Sequence, residues 1–135
     1  MGGALEAATR EFFDALDRKN AEAIIRSGAK DVQAVDEISR RWLRGIDALG
    51  SYVRQTMTSV DDITSTITDV RETAQGDIGF VTCWLEQDYT LKGKRTHVSA
   101  PTTLAFRREG DGWKIVLIHT VPIPPEETQP ISLQL

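Results

Sequence analysis

Two side chains suited to proton transfer stand out in the sequence, Asp36 and His119. Asp36 follows Val32 and Ala34 at every second position, so on an extended chain the three side chains share one face. A carboxylate on an apolar face is poorly hydrated and is suited to act as a general base. The alternative is an outward-facing Asp36 in a salt bridge with Arg40 or Arg41, and one residue of register decides between the two.

His119 ends a run in which Trp113, Ile115 and Leu117 alternate with other residues. On a regular strand these four side chains share a face, which would place the imidazole beside an apolar surface. Histidine can exchange a proton near neutral pH and could pass one to a substrate. The alternative is a structural core histidine that bonds to a backbone carbonyl or to Tyr52.

Aromatic side chains supply further candidate contacts. Tyr52 and Tyr89 could orient a carbonyl or hydroxyl group, although a tyrosine on an amphipathic element more often packs its ring and hydrates its oxygen. Trp84 shares a strand face with Ile78 and Phe80. It could line a pocket or lie in a contact between the sheets of a dimer, and both alternatives stay open.

The sequence lacks the motifs that mark several kinds of catalytic and cofactor-binding site. There is no Gly-x-Ser-x-Gly motif, phosphate-binding loop or dinucleotide fingerprint, so we expect no cofactor. The two histidines, His97 and His119, lie far apart in the sequence with no local carboxylate pattern, so we expect no metal site. The single cysteine, Cys83, alternates with Val81 and Leu85 and is predicted to be a small buried hydrophobe.

Charge and hydropathy limit the partners. Sixteen Lys and Arg against twenty Asp and Glu give a net charge of −4, which argues against nucleic acid. No apolar run approaches the roughly 18 residues of a membrane span. Charged residues also interrupt the apolar positions of the first helix, so we expect no signal peptide and a cytoplasmic protein.

The order of predicted elements indicates an α+β domain. Apolar residues three and four apart mark a helix from Leu5 and another from Ile46. Between them, Asn20 is a predicted N-cap for a helix over Ala21–Ser27, with Gly28 as a left-handed C-terminal cap. The chain from Asp31 to Leu43 is predicted to be extended. Four strands follow, over 63–70, 78–91, 96–108 and 113–121, with a bulge or local edge at Pro101.

This order, at this length, resembles the NTF2-like superfamily, which includes nuclear transport factor 2, ketosteroid isomerases, SnoaL-like polyketide cyclases and scytalone dehydratase. The resemblance covers residues 5–122 and is carried by FFDALDRKN at 12–20 and GWKIVLIHT at 112–120. It implies an NTF2-like (cystatin-like) cone, in which three N-terminal helices pack on a strongly curved, mainly antiparallel sheet.

The stretch from 17 to 55 is most similar to ketosteroid isomerases, and the resemblance places their catalytic aspartate base at Asp36. Two positions depart from that pattern. Phe12 stands where those enzymes have a tyrosine, and Thr102 stands about where they have a protonated aspartate. Because one such oxyanion donor contributes roughly 2.7–4 kcal/mol, these departures argue against a steroid isomerase.

We therefore expect a small-molecule pocket in which Asp36 and His119 carry out cofactor-free isomerisation, cyclisation or dehydration next to the carbonyl of an apolar ligand. Asp36 would take the proton, and His119 or Thr102 would stabilise or reprotonate the oxygen. The residues expected to contact the ligand are Phe12, Leu16, Trp84, Thr102 and Tyr52. The alternative is a non-catalytic ligand-binding or dimerisation module of the same fold.

The chain is expected to form one domain over residues 1–126, followed by a C-terminal tail over 127–135. Alternation along the long strands leaves both faces of the sheet apolar, and helices can cover only one face of so small a sheet. An uncovered apolar face is rare on a monomer, so we expect a homodimer through the β-sheet.

Overall fold

The computed structural model describes residues 2–124 of the 135-residue chain. Its helices are α1 (Ala4–Asp17), α2 (Ala21–Ser27) and α3 (Ile46–Ser59), and its strands are β1 (Gly28–Val35), β2 (Leu43–Arg44), β3 (Val60–Gln75), β4 (Ile78–Leu91), β5 (Lys94–Glu109) and β6 (Gly112–Thr120). The predicted domain end at 126 and the tail over 127–135 lie outside the described residues.

A single sheet takes in every strand, in the spatial order β2-β1-β6-β5-β4-β3. Neighbouring strands are antiparallel except β1 and β6, which run parallel. The helices pack on one face of this curved sheet, which we call the inner face; the opposite side is the outer face. The predicted α+β class, with helices on a mainly antiparallel sheet, is confirmed.

Alternate residues of the central strands form the core between the helices and the inner face. The largest fully buried apolar side chains of this core are Leu5 of α1 and Val32, Val81, Leu104, Phe106 and Ile115 of the strands. Cys83 is also buried on this face, as predicted, and burial raises the pKa of its thiol to about 11. The thiol therefore stays protonated near neutral pH and packs as a hydrophobe.

The second helix has the predicted bounds, but its C-terminal cap differs from the prediction. The Asn20 side chain accepts a hydrogen bond from the backbone N–H of Ala23 at 3.1 Å, which caps α2. Gly28 is not a left-handed cap: its φ of −92° and ψ of 147° are extended, and it is the first residue of β1. The chain passes directly from helix into strand, so no reversal at positive φ is needed.

The segment predicted to be extended from Asp31 to Leu43 is a strand only at its two ends. β1 stops at Val35, and Asp36 and Ser39 then close a tight turn on each other. The Ser39 hydroxyl accepts from the Asp36 N–H at 3.0 Å, and the Ser39 N–H donates to the Asp36 carboxylate at 2.8 Å. Such local side-chain bonds compete with strand pairing, which explains why the extended chain is interrupted.

The three hairpins of the sheet turn at glycines. Gly76, Gly93 and Gly110 have φ of 63°, 78° and 64°, a region that glycine enters without strain. The strand Ile78–Leu91 has the predicted bounds. β3 is longer than predicted, because polar residues after Val70 continue to pair with β4 along the edge of the sheet.

The last pair of strands contains a bulge that the sequence did not indicate. Phe106 pairs with Ile115 and Ala105 pairs with Leu117, so Val116 is an extra residue in β6. A bulge of one residue moves every later side chain to the opposite face. At Pro101 the pairing with β4 has no irregularity, and pairing of β5 with β6 begins only at Thr102, so the proline lies at a local edge.

Candidate functional site

A cavity opens between the helices and the inner face of the sheet. Its volume is about 100 Å³, and about 950 Å³ when the open mouth is included. The enclosed part is smaller than the apolar cavity of about 150 Å³ that is known to hold benzene, so a single-ring ligand must extend into the open mouth. Its apolar wall is formed mainly by Phe12, Phe13, Leu16, Ile24, Leu43, Leu49, Val53, Met57, Val60, Ile63, Leu85, Val98 and Ile118.

Asp36 contributes its carboxylate to the cavity wall. It lies in the turn after β1, where the Ser39 N–H donates to Oδ1 at 2.8 Å. The Tyr52 hydroxyl, from the middle of α3, donates to Oδ1 at 2.9 Å with Oδ2 at 3.1 Å. Neither Arg40 nor Arg41 pairs with it, so of the two predicted orientations the structure shows the one facing the cavity.

Tyr52 lines the cavity as predicted and holds Asp36 in place. Burial raises the pKa of its hydroxyl far above the ordinary value, and the neighbouring negative charge of Asp36 raises it further. The hydroxyl therefore stays protonated throughout the physiological range. A carboxylate bonded by a permanent donor on a helix has a fixed orientation toward the cavity.

A second pair of the same kind lies beside the first. The Tyr89 hydroxyl, from β4, donates to Oε2 of Glu37 at 3.3 Å, and both residues line the cavity. Burial, followed by the charge of Glu37, raises the pKa of Tyr89 to about 12. The sequence did not predict Glu37 as a site residue, because on a strand its side chain would point away from that of Asp36. The turn instead brings both carboxylates to the same cavity.

Of the other predicted ligand contacts, Phe12 and Leu16 line the cavity and Thr102 does not. Thr102 is only 2% exposed, and its hydroxyl is bonded to Thr120 Oγ1 at 2.8 Å and to the Ala100 carbonyl at 3.2 Å. Thr120, the partner of Thr102 in this bond, is the residue that lines the cavity at this point.

His119 does not line the cavity, and the prediction that it shares a face with Ile115 is wrong. The bulge at Val116 turns His119 to the outer face, where it pairs with Thr103 of β5 and is exposed. Its ring lies 5.9 Å from the ring of Trp42. The alternative of a core histidine bonded to Tyr52 is equally wrong.

Trp84 also lies on the outer face, so its predicted place in the pocket is wrong. Its indole N–H donates to Glu86 at 2.8 Å and to Ser99 at 2.9 Å. Nearby, His97 is exposed, and its two ring nitrogens lie 2.8 Å from carboxylate oxygens of Asp88 and Glu86. These polar groups belong to the sheet surface and not to the cavity.

Within residues 2–124 no group of three or more His, Cys, Asp and Glu side chains is arranged to hold a metal ion. Over the same residues, every helix is too short or too polar to cross a membrane.

The family model of the SnoaL-like domain matches residues 5–124. The chain therefore belongs to the SnoaL-like family, within the NTF2-like superfamily that the sequence resembles. No curated protein matches the chain.

Solved structures show the same fold. A protein of the NTF2-like family from Streptomyces avermitilis is 22% identical, with a TM-score of 0.82 over 90% of this chain and 96% of that one. A ketosteroid isomerase-like protein from Erwinia carotovora atroseptica is 23% identical, with a TM-score of 0.77 over 90% and 95%. An NTF2-like protein with a cystatin-like fold from Novosphingobium aromaticivorans is 16% identical, with a TM-score of 0.73 over 91% and 82%. At these identities the likeness concerns the fold alone.

Proposed function

We propose that the protein binds a small, largely apolar carbonyl compound in its cavity and moves a proton next to the carbonyl, with Asp36 as the base. The observation that carries this proposal is the carboxylate of Asp36 in the wall of an apolar cavity, oriented by Tyr52 and the Ser39 N–H. Isomerisation, cyclisation and dehydration all begin with such a proton transfer.

Asp36 keeps the capacity to accept that proton. A carboxylate offers about four lone-pair positions, and here one hydroxyl proton and one backbone N–H occupy part of them. Both donors bind from within the protein, one from the turn and one from α3. The remaining lone pairs are available to a C–H group of a ligand in the cavity.

Tyr89 is the donor best placed to stabilise the oxygen of the ligand. With its pKa near 12 it is protonated at neutral pH, and its bond to Glu37 is long at 3.3 Å. A long bond is readily exchanged for a shorter one to a developing oxyanion. This role was predicted for His119 or Thr102, neither of which lines the cavity.

The proposal is tested by hydrogen–deuterium exchange of single-ring ketones such as cyclohexanone in D₂O, followed by proton NMR. We expect exchange beside the carbonyl above the buffer rate, and a loss of roughly 10²–10⁴-fold in Asp36→Asn, the range for one general base. Asp69→Asn is the matched control, because Asp69 is exposed and has a positive φ that asparagine also tolerates. Equal exchange in Asp36→Asn and wild type would remove the assignment of the base.

A non-catalytic binding protein is the second candidate, and one observation favours it. The bonds from Ser39 and Tyr52 to Asp36 are also those of a carboxylate that simply holds a turn against a helix. Binding of the ketone probe without any exchange above buffer would select this candidate.

We further propose that two copies of the chain associate through their outer faces. Ile78 and Phe80 are 57% and 41% exposed there, beside the partly exposed Trp84 and Leu117. Phe80 and Leu117 each pair with Ala105, and exposed apolar side chains on a sheet can be covered by an identical surface related by a two-fold axis. Sedimentation should give a dimer at micromolar concentration, and a stable monomer would contradict the proposal.

A further inference from the structure

The cavity carries negative charge with no positive charge to balance it. Asp36 and Glu37 are the charged residues that line it, and no Lys, Arg or His does so in the described part of the chain. Neither carboxylate takes part in an ion pair among residues 2–124. Their hydrogen-bond donors are the neutral hydroxyls of Tyr52 and Tyr89 and the Ser39 N–H.

Some of the polar hydrogens of the cavity wall are used in bonds within the protein. The hydroxyl of Tyr52 donates to Asp36, and the amide nitrogen of Gln87 donates to Ser65 at 2.9 Å. The lone pairs that Asp36 and Glu37 keep free of these bonds can accept hydrogen bonds from a ligand. A ligand that brings its own hydrogen-bond donors satisfies this wall, whereas a ligand rich in acceptors does not.

Aromatic rings complete this environment. Phe12 and Phe13 line the cavity with their ring centroids 5.1 Å apart in a T-shaped arrangement, and the rings of Tyr52 and Tyr89 line it from other elements. The face of an aromatic ring attracts a cation, most strongly where water is excluded. In a concave site with apolar walls, charge of a single sign also concentrates the potential.

From these three observations we infer that the ligand is a small organic cation: an apolar ring that bears a protonated amino group besides the carbonyl of the proposed function, with the ammonium against Glu37. This inference deepens the proposed function, because it rests on small-molecule binding in the cavity. It does not depend on the proton-transfer step, since Asp36 remains available as the base. Anions of the same size are disfavoured by repulsion from Asp36 and Glu37.

Three probes with the same aromatic ring but different charge separate the effect of charge on affinity from that of shape. They are benzylamine, benzyl alcohol and benzoate. Their dissociation constants are measured at neutral pH and low salt by NMR titration of the full-length protein. We expect benzylamine to bind about tenfold more tightly than benzyl alcohol, and benzoate to bind more weakly than both. The advantage of benzylamine should shrink as salt is added, because ions screen a site with an open mouth.

Glu37→Gln should bring the affinity for benzylamine close to the affinity for benzyl alcohol measured on the same variant. Glu11→Gln removes the same charge from an exposed position on α1 outside the cavity and should keep the wild-type ranking. Benzoate binding to the wild type as tightly as benzylamine overturns the inference and leaves the cavity as a ligand site. Failure of all three probes to bind overturns the inference together with the proposed binding function.

Discussion

Tyr52 and Tyr89 each donate a hydrogen bond to a carboxylate, but the two bonds differ in length. Removing them should therefore destabilise the protein to different degrees. Tyr52→Phe removes a donor at 2.9 Å from Asp36, whereas Tyr89→Phe removes one at 3.3 Å from Glu37. Hydrogen bonds to charged groups contribute most when they are short, so we expect Tyr52→Phe to lower the free energy of unfolding by about 1–2 kcal/mol. Urea unfolding of both variants measures this, and a larger loss in Tyr89→Phe would contradict the proposed importance of the Asp36 bond.

His97 predicts a dependence on pH that is separate from the cavity. Hydrogen bonds to Asp88 and then to Glu86 raise its pKa above the ordinary value, because carboxylates accept from both ring nitrogens. The folded protein therefore holds the proton more tightly than the unfolded chain. The stability that this cluster contributes is fully present below the unfolded pKa of about 6.5 and is lost as pH rises through the folded pKa.

NMR titration of the His97 ring should show this raised pKa, and Asp88→Asn should lower it by removing the first of its two partners. Glu86 changes in the opposite sense: hydrogen bonds from Ser99 and then His97 hold its pKa below the usual range. A His97 that titrates at the same pH in Asp88→Asn as in the wild type would show that the cluster is not formed in solution.

At the scale of elements, α1 lies so close to β4 that only glycine fits at one position. A Cβ on Gly79 would collide with the side chain of Leu5 and lie 2.8 Å from the Thr73 carbonyl oxygen. Because the Thr73 carbonyl belongs to the backbone of β3 and cannot move away easily, we expect Gly79→Ala to destabilise the protein by about 1–3 kcal/mol. Gly112→Ala is the matched control, since open space surrounds that glycine in β6. Equal unfolding free energies for the two variants would mean that α1 does not pack this tightly on β4.

The elements were predictable from the sequence to the extent that their signals are local. Local signals of this kind are the N-cap Asn20, the spacing of apolar residues in α1 and the glycines of the turns. The bounds of α2 and β4 agree with the prediction. The face of His119 was not predictable in this way. Val116 is one of several β-branched residues in β6, and nothing local marks it as the residue that bulges. The bulge is a property of pairing with β5, which the sequence of β6 alone does not contain.

The candidate site was predictable only in part for the same reason. Phe12, Leu16 and Tyr52 line the cavity from helix faces that the spacing of apolar residues identifies, and Asp36 lines it from the first position after β1. Glu37 joins them because the chain leaves the strand after Val35, where alternation no longer applies. The pairing of each carboxylate with a tyrosine from a distant element depends on the complete fold.

At the scale of the whole molecule, the proposed dimer contact and the cavity lie on opposite sides of the sheet, so one can be changed without the other. Phe80 and Asp36 belong to opposite faces of the sheet. A charge at Phe80 should therefore abolish the proposed dimer without altering the cavity. We expect Phe80→Lys to sediment as a monomer at micromolar concentration, because burying an unpaired ammonium in an apolar contact is costly.

The same variant should bind benzyl alcohol with the wild-type dissociation constant, since no cavity residue is changed. Ala48→Lys adds the same charge at an exposed position of α3, away from the sheet, and should remain dimeric. A Phe80→Lys protein that is still a dimer would place the contact elsewhere on the surface. Loss of ligand binding together with loss of the dimer would instead mean that the cavity keeps its shape only when a second copy supports the sheet from behind.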